Sequence, residues 1–120
     1  MLKIKVIEED GAMRLLISEW LAGEGHEVHS LQRPAAVRDD TVDLVILDLP
    51  NPRHGDSARA VKAVHAAYPA AAVIGISTRL GRSLGGNSDA ARSLGVDRLL
   101  AKPCSRDELL GAVAAAVQAP

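Results

Sequence analysis

The sequence has almost no aromatic side chains. Phe is absent, and one Trp and one Tyr make up an aromatic share of 2%. A core must therefore be assembled from Ala, Val, Leu and Ile, and a pocket that stacks a flavin ring has little to work with. There is a single cysteine, Cys104, so no internal disulfide can form and no second thiol is available for a zinc site. No apolar stretch approaches the ~18 residues needed to span a bilayer. The chain opens on an alternating pattern rather than a basic stretch and an apolar run, which argues against a secretory signal. The formal net charge of −1 gives no basic excess for the phosphates of a nucleic acid. Together these absences lead us to expect a cytoplasmic protein.

What is present is a chain of 120 residues, 48% hydrophobic, enough for one domain with a genuine core. Its most informative stretch runs from Val42 to Gly55. Leu44 to Leu47 is an unbroken apolar run, too short for a helix, and reads as a strand buried on both faces of a parallel sheet. Asp48 follows where the pattern calls for another aliphatic residue. Pro50 and Pro52 then end the strand, because proline cannot donate to a ladder. A carboxylate at that end is either a turn residue or a site, since open α/β sheets bind ligands beyond the carboxyl ends of their strands.

Along the chain, Leu2 to Ile7 reads as a first strand ending in Glu8, Glu9 and Asp10. Three adjacent acids repel one another unless a cation sits among them, or else they favour the positive end of the following helix. Met13, Leu16, Ile17, Trp20 and Leu21 form one face of that helix. His26 to Leu31 reads as a short strand, and Pro34 to Arg38 as a brief helix. After Gly55, Asp56 or Ser57 is placed to cap a helix with Val61, Val64, His65 and Tyr68 on one face. Ala70 to Ile76 is a second apolar strand, ending in Ser77 and Thr78. The segment around Gly81, Gly85 and Gly86 reads as a long loop; it lacks the spacing of a nucleotide-binding loop. A short helix from Ser88 to Leu94 precedes a last strand, Gly95 to Ala101, which ends at Lys102 and Pro103. Ser105 and Glu108 have the spacing of a capping box and open a final helix with Leu109, Val113 and Val117 inward. Strands and helices thus alternate about five times, which predicts a doubly wound, mostly parallel α/β sheet with about five helices on its two faces.

Glu8 and Glu9, Asp48, Ser77 and Lys102 then collect at the carboxyl ends of neighbouring strands. Grouped carboxylates suit a hard cation such as Mg2+. A lysine and a hydroxyl suit a phosphoryl group, and a central Asp suits a nucleophile that forms an aspartyl phosphate.

Over essentially its whole length the chain resembles the CheY-like receiver domain of two-component response regulators. The resemblance is carried by Val6-Ile-Glu-Glu-Asp10 with Arg14 downstream, Asp43 to Asp48 continuing to Pro52 and Gly55, Ser77, and Gly95-Val-Asp97 leading to Lys102-Pro103. It implies a flavodoxin-like five-stranded parallel sheet of order 2-1-3-4-5. It further implies that Asp48 accepts a phosphoryl group from a histidine kinase or a histidine phosphotransfer protein, and slowly hydrolyses it. Glu8, Glu9, Asp48 and the backbone carbonyl of Pro50 would hold Mg2+, with Glu9 ligating directly; Ser77 would hydrogen-bond the phosphoryl group, and Lys102 would pair with its oxygens. The Lys102–Pro103 peptide is expected to be cis. With no DNA-binding or enzymatic segment after Pro120, output is expected through a protein target on the face of the fourth helix, fifth strand and fifth helix, with a homodimer as a further possibility.

Four features depart from the family pattern. Glu9 stands where the ligating acid is usually Asp, and Leu99 where the family carries a switch aromatic. The segment between Gly25 and Asp48 is short, and the loop from Gly81 to Gly86 is long. The first two favour an alternative reading, a degenerate receiver that binds a protein partner without phosphorylation; the intact Asp48, Ser77 and Lys102 oppose it. His26, His29, His54 and His65 lack ligand spacing and read as ordinary histidines. Trp20 reads as core, Cys104 as a small filler, Arg14 as a solvated charge, and Asp10 as turned away from the site.

Overall fold

The unbroken run of aliphatic residues in β3 (Leu44–Asp48) has the consequence expected of it: Leu44, Val45, Ile46 and Leu47 are all buried. Alternation of side chains across a strand sends Leu44 and Ile46 into one apolar cluster and Val45 and Leu47 into a second, on the opposite face. The computed structural model describes residues 1–49, 55–78, 88–102 and 104–118. Pro50, His54, the loop from Gly81 to Gly86 and the Lys102–Pro103 peptide therefore lie outside the described residues.

The other strands are β1 (Lys3–Ile7), β2 (Glu27–Leu31), β4 (Ala72–Ser77) and β5 (Arg98–Ala101). They form one sheet in the order β2-β1-β3-β4-β5, with every neighbouring pair parallel. The helices are α1 (Gly11–Gly23), α2 (Gly55–Ala67), α3 (Asp89–Leu94) and α4 (Arg106–Gln118). Ile17 and Leu21 of α1 and Leu109 and Val113 of α4 close the cluster on one face; Val61 and Val64 of α2 and Ala91 and Leu94 of α3 close the other. Among the described residues no helix is long and apolar enough to cross a membrane.

The helix ends follow local chemistry. Asp10 accepts from the amides of Ala12 and Met13 at the start of α1, and Ser88 accepts from the Ala91 amide at the start of α3, each satisfying donors that a first turn leaves open. The capping box is formed in both directions: the Glu108 amide donates to Ser105 Oγ at 3.0 Å and the Ser105 amide to Glu108 Oε1 at 3.1 Å. α2 opens at Gly55, so Asp56 and Ser57 lie inside its first turn rather than at its cap. Gly95, at φ 79°, closes α3 in the left-handed conformation, which glycine adopts without a steric penalty.

Four helices among the described residues stand against the expected five, and the correction falls on Pro34 to Arg38. That segment is not helical but an irregular connection from β2 to β3, with bends at Ala36 and Val37. Alternation explains why. The face of β1 and β2 that such a helix would cover carries Lys3, Lys5, Glu27 and His29, and an amphipathic helix gains nothing by packing on charges. The segment's main chain is tied down otherwise: the Ala35 amide donates to Tyr68 Oη at 3.0 Å, and the Asp39 amide to the Ala67 carbonyl at 2.8 Å. Lys3 Nζ reaches Asp39 at 3.2 Å and Thr41 at 2.8 Å. The Thr41 hydroxyl and amide donate to the Asp39 carboxylate as well, and these bonds, with the Lys3 contact after them, hold its pKa down to about 2.

Two smaller corrections concern helix faces. Leu16 is 41% exposed and Val117 37% exposed, although both were placed inward. In α4 the buried set is Leu109, Ala112, Val113 and Ala116, a stripe that leaves Val117 at its margin.

Candidate functional site

Register brings the candidate residues together. Ile7 is paired with Leu47, Asp48 with Ile76, and Ser77 with Ala101. The next residues along, Glu8, Asp48, Ser77 and Lys102, consequently line the carboxyl edge of four adjacent strands. The end of the sheet is continued by main-chain bonds from the Leu49 amide to the Ile76 carbonyl and from the Lys102 amide to the Ser77 carbonyl, at 2.8 and 2.9 Å. Residues more than fifty positions apart in sequence meet because the strands are short and in phase.

The centre of the arrangement is Lys102. Its Nζ lies 2.8 Å from Asp48 Oδ1 and 2.9 Å from Glu8 Oε2. Glu8 is almost completely buried, Lys102 is 12% exposed and Asp48 is 23% exposed. Burial pushes the Glu8 carboxyl above its ordinary value, against the hydrogen bonds from Lys102 and the Asp10 amide. Burial pulls the Lys102 ammonium the other way, but its hydrogen bonds to Asp48 and Glu8 and their charges outweigh it and leave its pKa raised. The lysine is thus held charged between two carboxylates.

The two glutamates expected to act as a pair have separate surroundings. Glu8 is turned inward, with Oε1 accepting from the Asp10 amide at 3.1 Å and Oε2 from Lys102. Glu9 is exposed and, with Asp48, lines a cavity of about 280 Å³ floored by Ile7 and Leu47 and bounded by Arg33 and Asp56. Asp10 is turned away, as expected, into its capping role. Among the described residues, no three His, Cys, Asp or Glu side chains converge as a ligand set for a metal. A hexacoordinate Mg2+ needs only one or two carboxylates when waters and other oxygens complete its shell. Glu9 and Asp48, which face one cavity, fit that requirement; Glu8 in its present contacts does not.

Ser77 is fully buried at the end of β4, beside Asp48 in the sheet. Leu99, expected from the sequence to stand in place of a switch aromatic, is also fully buried and belongs to the cluster beneath α2 and α3. It gets there because β4 carries Gly75 opposite it. A Cβ on Gly75 would stand 2.6 Å from Leu49 Cδ1 and 3.0 Å from Leu99 Cδ2, so the two leucines occupy the space that any other residue would fill.

Three participants were not legible beforehand. Arg14 is no solvated charge: its Nη1 donates to the Glu8 carbonyl at 2.7 Å, clamping the end of β1. Arg33, in the connection after β2, and Asp56, in the first turn of α2, both border the cavity. Gly75 did leave a signal, since a glycine inside an apolar strand marks a close approach. Cys104 is buried, as expected of a filler, and burial raises its thiol pKa. His26 Nδ1 accepts from the Leu2 amide, and His65 Nε2 lies 2.7 Å from the Gly95 carbonyl; both fasten elements of the fold. Trp20 is only partly buried at the edge of its cluster.

Because the charged form of Glu8 is disfavoured by burial, Glu8→Gln is expected to stabilise the domain at neutral pH by roughly 2–5 °C in Tm. A raised carboxyl pKa contributes stability that is fully present below the ordinary unfolded value of 4.5 and lost as pH rises through the folded value. The advantage of the variant should therefore shrink as pH falls toward 4.5, which thermal melts across that range check. A variant less stable than wild type at pH 7 would show that the bond to Lys102 outweighs the cost of burial.

No protein-family model matches this chain, and no curated protein sequence does either. Solved structures do match its fold. A response regulator from Thermotoga maritima superposes with a TM-score of 0.77 at 18% identity, over 99% of each chain. A CheY-like response regulator receiver domain protein from Methanospirillum hungatei JF-1 gives 0.75 at 20% identity, over 98% of this chain and 95% of that one. A response regulator from Burkholderia pseudomallei, solved with a phosphorylated aspartic acid, calcium ion and citrate, gives 0.69 at 16% identity, over 93% of this chain and 66% of that one. The chain has the flavodoxin-like receiver fold, with the strand order 2-1-3-4-5.

Proposed function

We propose that this domain is a phosphoacceptor of two-component signalling, taking a phosphoryl group on Asp48 from the phosphohistidine of a histidine kinase or histidine phosphotransfer protein. The observation that carries the reading is the 2.8 Å contact between Asp48 and Lys102 at the carboxyl edge of the sheet. An aspartate that is both partly exposed and matched to a buried cation is a nucleophile with its countercharge already in place. An Asp48 oxygen attacks phosphorus, the P–N bond to the histidine breaks, and the imidazole leaves. Lys102 then exchanges its contact with Asp48 for one with a phosphoryl oxygen, and Ser77 donates its hydroxyl to another. Glu9 and Asp48, with the Pro50 carbonyl, would hold Mg2+, which when bound neutralises charge on the phosphoryl oxygens. Water attack on the aspartyl phosphate returns the resting state slowly.

Output would run through the face built from α3, β5 and α4 toward a protein target. The complete burial of Leu99 favours a second reading, a receiver that binds its partner without phosphorylation, because a side chain already inside has no inward swing left to make.

Intact mass after incubation with acetyl phosphate separates the two. The wild type is expected to gain one phosphoryl group only when Mg2+ is present, and Asp48→Asn is expected to gain none. No gain by the wild type at any Mg2+ concentration would favour the phosphorylation-independent module, with the longer Glu9 as the first cause to examine.

A further inference from the structure

The feature of the fold that the proposed chemistry does not use is the outer edge of β2. Among the described residues β2 is the last strand on its side of the sheet and pairs only with β1. The missing helix leaves one face of it uncovered, and the pattern along it is exposed at Glu27, His29 and Ser30.

The direction of its main chain can be read from the ladder. The Glu27 amide donates to the Leu2 carbonyl at 2.9 Å, and the Leu31 carbonyl accepts from the Glu8 amide at 3.2 Å. In a parallel pair the same residue both donates and accepts toward its neighbour, and every second residue does so. Glu27, His29 and Leu31 therefore face β1, and the N–H and C=O groups of Val28 and Ser30 point outward. An edge of this kind is a template for another strand.

We propose that β2 pairs with β2 of a second copy of this chain, antiparallel and centred on Val28, making one continuous ten-stranded sheet. Register and side-chain complementarity select this pairing. Centring on Val28 makes the two Val28 residues a hydrogen-bonded pair, which their outward main-chain groups allow, and sets Ser30 against His26 of the other copy. Glu27 of one copy then stands opposite His29 of the other, twice by symmetry. These are non-hydrogen-bonded positions, where side chains approach most closely. Within one chain the two already meet, with His29 Nε2 3.0 Å from Glu27 Oε2 and both about half exposed. Their flanking groups are Lys3 and Lys5, opposite Glu27 and His29 on β1. Centring on His29 would instead stack two histidines, and centring on Ser30 would set His29 against Leu31. Only the Val28 register makes the edge complementary to itself, as a two-fold interface requires.

Sedimentation of the full chain over a range of concentrations gives the first readout. The wild type is expected to dimerise with rising concentration, and His29→Glu, which sets Glu against Glu, to lower the association constant by about tenfold. The exchange Glu27→His with His29→Glu should restore it, because the same two side chains then face each other from exchanged positions. Register is read separately in a Cys104→Ala background, where Glu27→Cys chains mixed with His29→Cys chains should cross-link on mild oxidation far more than either alone. A monomer at every concentration, a dimer indifferent to both charge variants, or cross-linking equal in mixed and unmixed samples each overturns the proposal.

Discussion

Lys102→Met is expected to cost about 3 kcal/mol of stability, although the methionine fills nearly the same space. The lysine is the cation between Glu8, almost fully buried, and Asp48, and both contacts are shorter than 3 Å. Removing one member of a buried charge group leaves the others uncompensated, and that penalty exceeds the value of the original pair. The loss is checked by urea unfolding, and adding Glu8→Gln to Lys102→Met should recover a large part of it, since the uncompensated buried charge is then gone. pH gives a second signature. A lysine whose pKa is raised contributes stability that is fully present below the ordinary unfolded value of 10.5 and disappears as pH climbs through its folded value. The wild type should lose that contribution on the alkaline side and Lys102→Met should not. A loss under about 0.5 kcal/mol, with no difference in alkaline behaviour, would mean that solvent screens the bridge as it does surface pairs.

Gly75→Val carries the second large effect, and two principles pull in opposite directions. Valine is a better strand former than glycine by up to ~1 kcal/mol, and Gly75 sits in β4, between β3 and β5. Against this, its Cβ would meet Leu49 Cδ1 at 2.6 Å and Leu99 Cδ2 at 3.0 Å, and both leucines are fully buried. Overpacking a dense core typically costs 1–3 kcal/mol, and branching at Cβ adds two further methyls, so the net loss should be about 3 kcal/mol. Shortening the obstruction tests the cause: Leu49→Ala should lose stability alone but rescue Gly75→Val in the double variant. Additive losses would place the damage elsewhere than at this contact.

How far the sequence disclosed all this depended on the range of the interaction. Strands β3 and β4 were legible because a short aliphatic run has one stable use, burial on both faces, and the capping box at Ser105 and Glu108 was legible because its partners are three residues apart. The convergence of Asp48, Ser77 and Lys102 followed from topology together with the family resemblance. The connection at Pro34 to Arg38 was misread because its local composition tolerates a helix, while the decision was made by Lys3, Lys5, Glu27 and His29 on two other strands. Arg14 was misread for a related reason: helical position says nothing about a 2.7 Å bond to the Glu8 carbonyl. Lys102 was assigned to a phosphoryl group, yet its grip on Glu8 depends on rotamers and burial that no spacing encodes.

The division of the core by the sheet also gives the molecule two built-in optical probes. Tyr68 is the only tyrosine and is wholly buried in the cluster beneath α2 and α3, its hydroxyl fastened to the Ala35 amide. Trp20 is the only tryptophan and packs at the rim of the cluster beneath α1 and α4. Excitation at the red edge of the absorption band reports Trp20 alone, and the near-ultraviolet difference spectrum resolves the single tyrosine by its band shape, so the two faces of the sheet can be followed in parallel. Coincident Tyr and Trp transitions in one unfolding experiment would show that the two halves melt as a single cooperative unit. An earlier Tyr signal would identify the helix-poor side, where an irregular connection replaces a packed helix, as the first to open.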